Sequence, residues 1–265
     1  MITAYLLATL VGLSLGLMGG GGSILTVPIL VYVIGMEAKL AVASSLVVVG
    51  ATSLIGSISH FRAGNLNIKT GTIFGSVAMF GAFVTARFFA KYLSGTTQLI
   101  LFAIIMLLAS YYMLKKKKVI EGQMEETVHL PILKIAGLGL VVGIVTGLVG
   151  VGGGFLIVPA LHLMARVPMK QAVGTSLVII AANSFSGYLG YMNQVHLDWN
   201  FIGMFILFTA IGIIIGSWLV KFVPADKLKK AFGVFLIIMG LFILYKERAK
   251  MGIAYLPTQI GRTLA

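Results

Sequence analysis

Long apolar stretches separated by short polar connections make up nearly the whole chain. Hydropathy divides it into about eight apolar blocks, at residues 2–34, 40–61, 68–92, 97–114, 131–165, 171–192, 199–222 and 231–245. A membrane-spanning helix needs roughly 20 such residues. The blocks lack the alternating segments of about 10 residues that form membrane β-barrels. The pattern therefore predicts an all-α, polytopic membrane protein with about eight hydrophobic segments.

A glycine-rich break interrupts two of these blocks. The first reads Gly16-Leu-Met-Gly-Gly-Gly-Gly-Ser23 and leads to Pro28; the second reads Gly147-Leu-Val-Gly-Val-Gly-Gly-Gly154 and leads to Pro159. Each glycine costs a helix roughly 1 kcal/mol relative to alanine. Non-helical backbone at membrane depth is tolerated only where protein buries it or where it lines a cavity. A matched pair of interrupted segments indicates the substrate site of a transporter.

The two halves of the chain resemble each other. A shift of 131 residues aligns about 11–115 with 142–246 without a gap, and it brings Pro28 onto Pro159 and Ser45 onto Ser176. This self-similarity predicts a duplication. The predicted organisation is repeat 1 at 1–114, a polar loop at 115–130, repeat 2 at 131–245 and a basic tail at 246–265.

The relative orientation of the repeats depends on the first block of each half. About 33 residues of straight helix would span roughly 50 Å, which is longer than the bilayer core of about 30 Å, so a broken helix or a re-entrant hairpin is expected. If this block crosses the membrane, the repeats are parallel and the 20 Lys and Arg residues divide 11 to 9 between the two sides. If it is re-entrant, the repeats are inverted and the division is 13 to 7, with the 115–118 lysines in the cytoplasm and the termini outside. The positive-inside rule favours the inverted arrangement.

Composition narrows the class of protein. Only 10% of the residues are charged and 59% are hydrophobic, whereas soluble domains contain about 25% charged residues. The net charge of +13 would indicate nucleic acid in a soluble protein, but here the basic residues flank apolar blocks, where lipid headgroups are the expected partners. The chain has no cysteine, which excludes disulfides and thiolate chemistry.

The glycine runs are the first candidates for substrate binding. Glycine leaves backbone N–H groups uncovered, and a helix that begins at such a run presents N–H groups and a positive dipole end to an anion. The alternative is close helix packing through small residues. The candidates are Gly19, Gly20, Gly21, Gly22 and Ser23 in the first half, and Gly150, Gly152, Gly153 and Gly154 in the second.

Hydroxyl and amide side chains after each break are the second set of candidates. They are Ser44 and Ser45 in repeat 1, and Thr175, Ser176 and Asn183 in repeat 2. Their side chains can donate to an oxyanion, or the hydroxyls can bond back to carbonyls of their own helix. His60 and Arg62 end the second block, where they could form an electropositive vestibule or relay protons; the alternative for Arg62 is an interfacial anchor.

No catalytic constellation is visible. The seven acidic residues lie in or beside connections, and no carboxylate lies in the middle of an apolar block. We therefore predict no enzyme activity, no metal site and no cofactor. An anionic substrate fits this distribution better than a cation does.

The doubled glycine motif, together with Ala172-Val-Gly-Thr-Ser-Leu177 and His60-Phe-Arg-Ala-Gly-Asn-Leu66, resembles the sulfite exporter TauE/SafE family of membrane transporters. The resemblance covers roughly residues 5–246. It implies a multi-pass permease of the prokaryotic plasma (inner) membrane for small sulfur-containing anions such as sulfite, thiosulfate or organosulfonates. It also implies that the glycine runs and Thr175-Ser176 bind the anion, although Val151 departs from the glycine pattern. A carrier or channel for another small anion is the alternative, and a homo-oligomer is left open.

Overall fold

The computed structural model describes residues 2–89, 92–115, 132–149, 154–192 and 195–254, which contain helices and turns but no strands. The helices are α1 (Ile2–Met18), α2 (Gly21–Pro28), α3 (Ala38–Arg62), α4 (Ile68–Phe88), α5 (Gly95–Leu114), α6 (Ile132–Val149), α7 (Gly154–Pro159), α8 (Met169–Tyr191), α9 (Trp199–Leu219) and α10 (Ala225–Ala254). Short π-helical segments, Ile29–Val33 and Ala160–Met164, continue α2 and α7, and a 3-10 turn, Val220–Phe222, follows α9.

Seven helices in this described part are long and apolar enough to cross a membrane: α3, α4, α5, α6, α8, α9 and α10. The predicted all-α, polytopic fold is confirmed. The two shorter apolar helices are Thr3–Met18 and Gly22–Val33, which together form the first block of the chain. The difference from eight continuous segments therefore arises where the glycine breaks occur.

The first block folds back on itself at Gly19 and Gly20. Gly19 has a φ of 69°, a conformation that glycine adopts without steric cost. A β-carbon built on Gly22 would lie 2.6 Å from the Val11 carbonyl oxygen and 2.5 Å from Leu15 Cβ, whereas residues 11 and 22 of a straight helix are about 16 Å apart. We call residues 2–33 hairpin 1.

Proline shapes the returning arm of each hairpin. Pro28 ends α2 and Pro159 ends α7, and a π-helical segment begins at the next residue in both places. Proline has no N–H to donate to the carbonyl one turn earlier, and single π-helical turns often occur where the regular ladder is broken in this way. We call α6, α7 and Ala160–Met164 hairpin 2; its turn at 150–153 lies outside the described residues.

The contacts between helices fix their directions. α3 and α8 cross antiparallel, because Gly50 lies against Ser184 near the middle while Gly56 and Gly187 contact Leu177 and Leu46. α1 runs parallel to α9, and α6 runs parallel to α4. These pairs pack closely through glycines: Gly12 on Thr209, Gly16 on Ile213, Gly143 on Ala78 and Gly147 on Ala82.

These contacts come in pairs that are 131 residues apart: Gly12 with Thr209 corresponds to Ala78 with Gly143. Because α3 and α8 are corresponding helices and run in opposite directions, the packing favours the inverted arrangement. α3 and α5 end on the face where Lys115 lies, and we call this the Lys115 side. The duplication and its boundaries stay predictions.

The end of the chain differs from the expectation at one point. α10 continues to Ala254, so the expected boundary at residue 245 falls inside a helix. Lys246 and Arg248 are exposed while Glu247 between them is fully buried. The polar residues thus occupy one exposed face of the helix, and a hydropathy average cannot separate that face from a polar tail.

Candidate functional site

The first turns of α2 and α7 meet in the interior of the molecule. A β-carbon built on Gly154 would lie 2.9 Å from Gly20 Cα, 2.9 Å from Ser23 Oγ and 2.7 Å from Ile180 Cδ1. Gly20, Ser23 and Gly154 are all buried. The two glycine-rich breaks are therefore adjacent in space although they are 131 residues apart in sequence, and only residues without a β-carbon allow this approach.

The N-terminus of α2 has no side chain over it. Gly20 is its N-cap, and no side chain accepts a hydrogen bond from the first turn. Ser23 Oγ instead donates to the Gly20 carbonyl at 2.7 Å, and Thr26 Oγ1 donates to the Gly22 carbonyl at 2.8 Å. The backbone N–H groups of this first turn lack an intrahelical acceptor, as at every helix start, and this is the arrangement on which anion binding depends.

The tip of hairpin 1 lies against α8. A β-carbon on Gly19 would meet Ser176 Oγ at 2.5 Å and Val173 Cα at 3.1 Å. The predicted residues Gly19 to Ser23 and Ser176 are thus brought together. Gly150, Gly152 and Gly153 lie outside the described residues, and Gly154 is the part of the second run that the structure places.

The candidate hydroxyls make bonds within their own surroundings. Ser45 Oγ donates to the Val42 carbonyl and Ser176 Oγ to the Val173 carbonyl, both at 2.8 Å. Thr175 Oγ1 accepts from the Asn67 backbone N–H at 2.9 Å and so holds the start of α4. Ser44 is buried as well. Their role as substrate ligands stays a prediction.

Asn183 is the most unusual of the candidates. It is 1% exposed, and neither its side-chain oxygen nor its nitrogen has a hydrogen-bond partner. Leaving such a group unpaired costs about 1–3 kcal/mol. On α8 it lies seven residues after Ser176 and three after Ile180, and residues at these spacings share a helix face. Because Gly19 contacts Ser176 and Gly154 contacts Ile180, that face is directed at the hairpins.

His60 and Arg62 are separated by their burial. His60 is 2% exposed, in the last turn of α3, and neither ring nitrogen has a hydrogen-bond partner. Arg62 is exposed at the end of the same helix. An exposed Arg62 suits a vestibule or an interfacial anchor.

Several buried polar contacts were not anticipated from the sequence. Gln98 Nε2 donates to the Leu148 carbonyl at 2.9 Å and to Tyr191 Oη at 3.0 Å, which ties the end of α6 to α5 and α8. Thr52 and Thr209 share a hydrogen bond of 2.7 Å between α3 and α9. A lone glutamine inside the apolar block 97–114 was the available signal for Gln98.

Glu247 is an exception to the expectation that every acidic residue lies in or beside a connection. It lies within α10, is fully buried and accepts a hydrogen bond from Tyr32 Oη at 2.8 Å. Tyr32 belongs to the returning arm of hairpin 1. The carboxylate therefore attaches this hairpin to α10, a partnership that basic neighbours in the sequence conceal.

A cavity of about 360 Å³ lies between α4 and α8. Its lining is mainly apolar and includes Thr175, Asn67, Gly71 and Ile179. Within the described ranges, no group of three or more His, Asp or Glu side chains could hold a metal ion.

The family model for the sulfite exporter TauE/SafE matches residues 4–243. This chain belongs to that family. A probable membrane transporter protein of Xylella fastidiosa (strain 9a5c) is 31% identical over 246 residues, covering 91% of this chain and 94% of the relative. The probable membrane transporter protein YdhB of Bacillus subtilis is 27% identical over 240 residues, covering 89% and 97%.

A further relative in the TauE/SafE family is the probable membrane transporter protein of Haemophilus influenzae, 26% identical over 266 residues, with 92% of this chain and 98% of the relative covered. No solved structure matches this chain. The family and its named relatives identify the protein as a multi-pass membrane transporter and not an enzyme.

Proposed function

We propose that this member of the TauE/SafE family is a secondary transporter that moves small sulfur-containing anions, such as sulfite or organosulfonates, across the plasma membrane of a prokaryote. The observation that carries the proposal is the buried meeting of the first turns of α2 and α7 at Gly20, Ser23 and Gly154. A helix N-terminus carries roughly half a positive charge, so two together favour an anion without a buried cation.

The charges of the hairpins agree with an anionic cargo. Residues 2–33 contain no charged side chain, so no carboxylate of hairpin 1 opposes an anion. Asn183, which lacks a partner and lies on the hairpin-facing side of α8, supplies an amide donor. An anion that bridged this amide and the helix starts would satisfy groups that are otherwise unpaired, and would offset the cost of leaving them so.

We infer the membrane orientation from the basic residues. The Lys115 side carries Arg62, Lys69, Lys115, Lys134, Arg166, Lys170, Lys221, Lys227, Lys229 and Lys230, and the opposite side carries Lys39, Arg87, Lys246 and Arg248. The positive-inside rule assigns the Lys115 side to the cytoplasm. Each negative charge exported against an inside-negative potential of 100 mV then releases roughly 2.3 kcal/mol.

The transport cycle follows from the inverted arrangement. Hairpin 1 reaches the centre from the terminal side, and hairpin 2 reaches it from the Lys115 side. Rocking one repeat against the other would expose the meeting point to either side in turn, as in other transporters built from inverted repeats. The cavity between α4 and α8 is not part of this cycle.

Flux measurements on purified protein in liposomes test the proposal. Radiolabelled sulfite, thiosulfate and sulfoacetate are offered to proteoliposomes and to protein-free liposomes, and we expect saturable uptake of at least one of them. Preloading with unlabelled anion should accelerate uptake, since a carrier exchanges its cargo. Unsaturable flux without exchange would indicate a channel, and transport of sulfur-free carboxylates alone would refute the substrate class.

A further inference from the structure

His60 occupies a position at which three elements of the proposed site come together. A β-carbon built on Gly174, in the second turn of α8, would meet His60 Cβ at 3.1 Å. The His60 ring lies near the Gly16 carbonyl, close to the end of α1. Gly19, one turn further on, contacts Ser176 of α8. The imidazole is therefore next to the tip of hairpin 1.

We propose that His60 is a substrate-binding residue, whose ring donates a hydrogen bond to an oxygen of the transported anion at the tip of hairpin 1. This inference rests on the proposed function. An imidazole carries at least one N–H in either protonation state, so the ring can donate to an anion whether or not it is charged.

The comparison with Tyr191 supports this role. Tyr191 lies 131 residues after His60, at the corresponding place beside hairpin 2, and it is 1% exposed. Its hydroxyl accepts from Gln98 Nε2, which also bonds the Leu148 carbonyl of hairpin 2. A structural side chain at this place therefore finds partners within the protein. His60 is equally buried but has none, which is the condition expected of a group whose partner is a ligand.

The charges around His60 fit an anion. None of α1, α2, α3, α8 and α9 contains an acidic residue. The charge acting on the ring is that of Lys221, after α9, and Lys170 Nζ lies 3.4 Å from the Lys221 carbonyl. Arg62, on the same helix as His60, and Lys69, in the first turn of α4, are the other charged residues of these elements at this end. A cation at the ring would meet this positive environment, whereas an anion is stabilised by it.

Sulfite uptake by proteoliposomes tests the inference through KM and Vmax. We expect His60→Leu to raise the KM for sulfite at least tenfold, and His60→Gln, which keeps an N–H donor, to raise it less. The matched control is His196→Leu, an exposed histidine in the connection before α9, for which KM should stay within twofold. A wild-type KM in His60→Leu would overturn the inference. If the wild type moves none of sulfite, thiosulfate and sulfoacetate, the proposed function itself fails, and this inference with it.

A second measurement does not depend on transport by a variant. The wild-type protein labelled with 15N-histidine contains four histidines, and the His60 signal is assigned as the one absent from His60→Gln. Addition of sulfite should shift the ring nitrogen resonances of His60 more than those of the other three. Unchanged His60 resonances at saturating sulfite would overturn the inference.

Discussion

A single methyl group at Gly154 tests whether the two hairpins must approach closely. Alanine there would place its β-carbon 2.9 Å from Gly20 Cα and 2.9 Å from Ser23 Oγ, whereas favourable contacts of carbon begin near 3.5 Å. The hairpins would therefore have to separate by about 0.5 Å. Ser23 cannot rotate away without losing its bond to the Gly20 carbonyl. Overpacking of this kind costs about 1–3 kcal/mol.

This cost falls on the conformation in which the first turns of α2 and α7 meet. Since about 1.4 kcal/mol corresponds to a factor of ten, Gly154→Ala should lower the population of that conformation by roughly 5-fold to 150-fold. The initial rate of sulfite uptake into proteoliposomes should fall by at least fivefold, while the protein is still recovered as a folded species by size-exclusion chromatography.

Two other glycines provide matched controls. At Gly137 in α6 and Gly203 in α9, no atom lies within 4 Å of the place that an added β-carbon would occupy. Alanine at either site should leave the uptake rate unchanged and stabilise its helix by up to about 1 kcal/mol. Wild-type uptake by Gly154→Ala, measured beside these controls, would refute the reasoning.

Three further predictions concern stability and orientation. Gln98→Leu removes two buried hydrogen bonds and should lower the free energy of unfolding by about 2 kcal/mol, seen as a lower thermal midpoint in detergent; an unchanged midpoint would contradict the contact. A double-mutant cycle of Thr52→Val and Thr209→Val should give a coupling near 0.6 kcal/mol, as is usual between membrane helices, and no coupling would mean that the bond does not form. In this cysteine-free chain, a membrane-impermeant maleimide added outside cells should label Lys246→Cys but not Ala63→Cys; the opposite pattern would reverse the proposed orientation.

Hydropathy alone predicts the helical fold well because lipid imposes one simple rule on every segment. The block at 40–61 corresponds to α3 (Ala38–Arg62), and the helix ends fall where capping residues occur. Asn67 and Ser94 accept hydrogen bonds from the first turns of α4 and α5. The glycine breaks were also visible, because no ordinary helix tolerates four glycines in a row.

The partners of buried polar groups could not be read from hydropathy. Ser45 and Ser176 were expected to face a ligand, yet both hydroxyls bond carbonyls of their own helices. Sequence spacing predicts which face a side chain shares, but it does not predict whether a carbonyl on that face is nearer than a ligand. Glu247 was missed for a related reason: its burial depends on Tyr32, 215 residues earlier in the chain.

The central claim is that an anion occupies the place where the first turns of α2 and α7 meet. Selenite has the shape and charge of sulfite and scatters X-rays anomalously at the selenium edge. Crystals of the wild-type protein soaked in selenite should show an anomalous peak within hydrogen-bonding distance of the backbone N–H groups that follow Gly20. A peak confined to the cavity between α4 and α8, or to the protein surface, in a protein that transports sulfite would contradict the account.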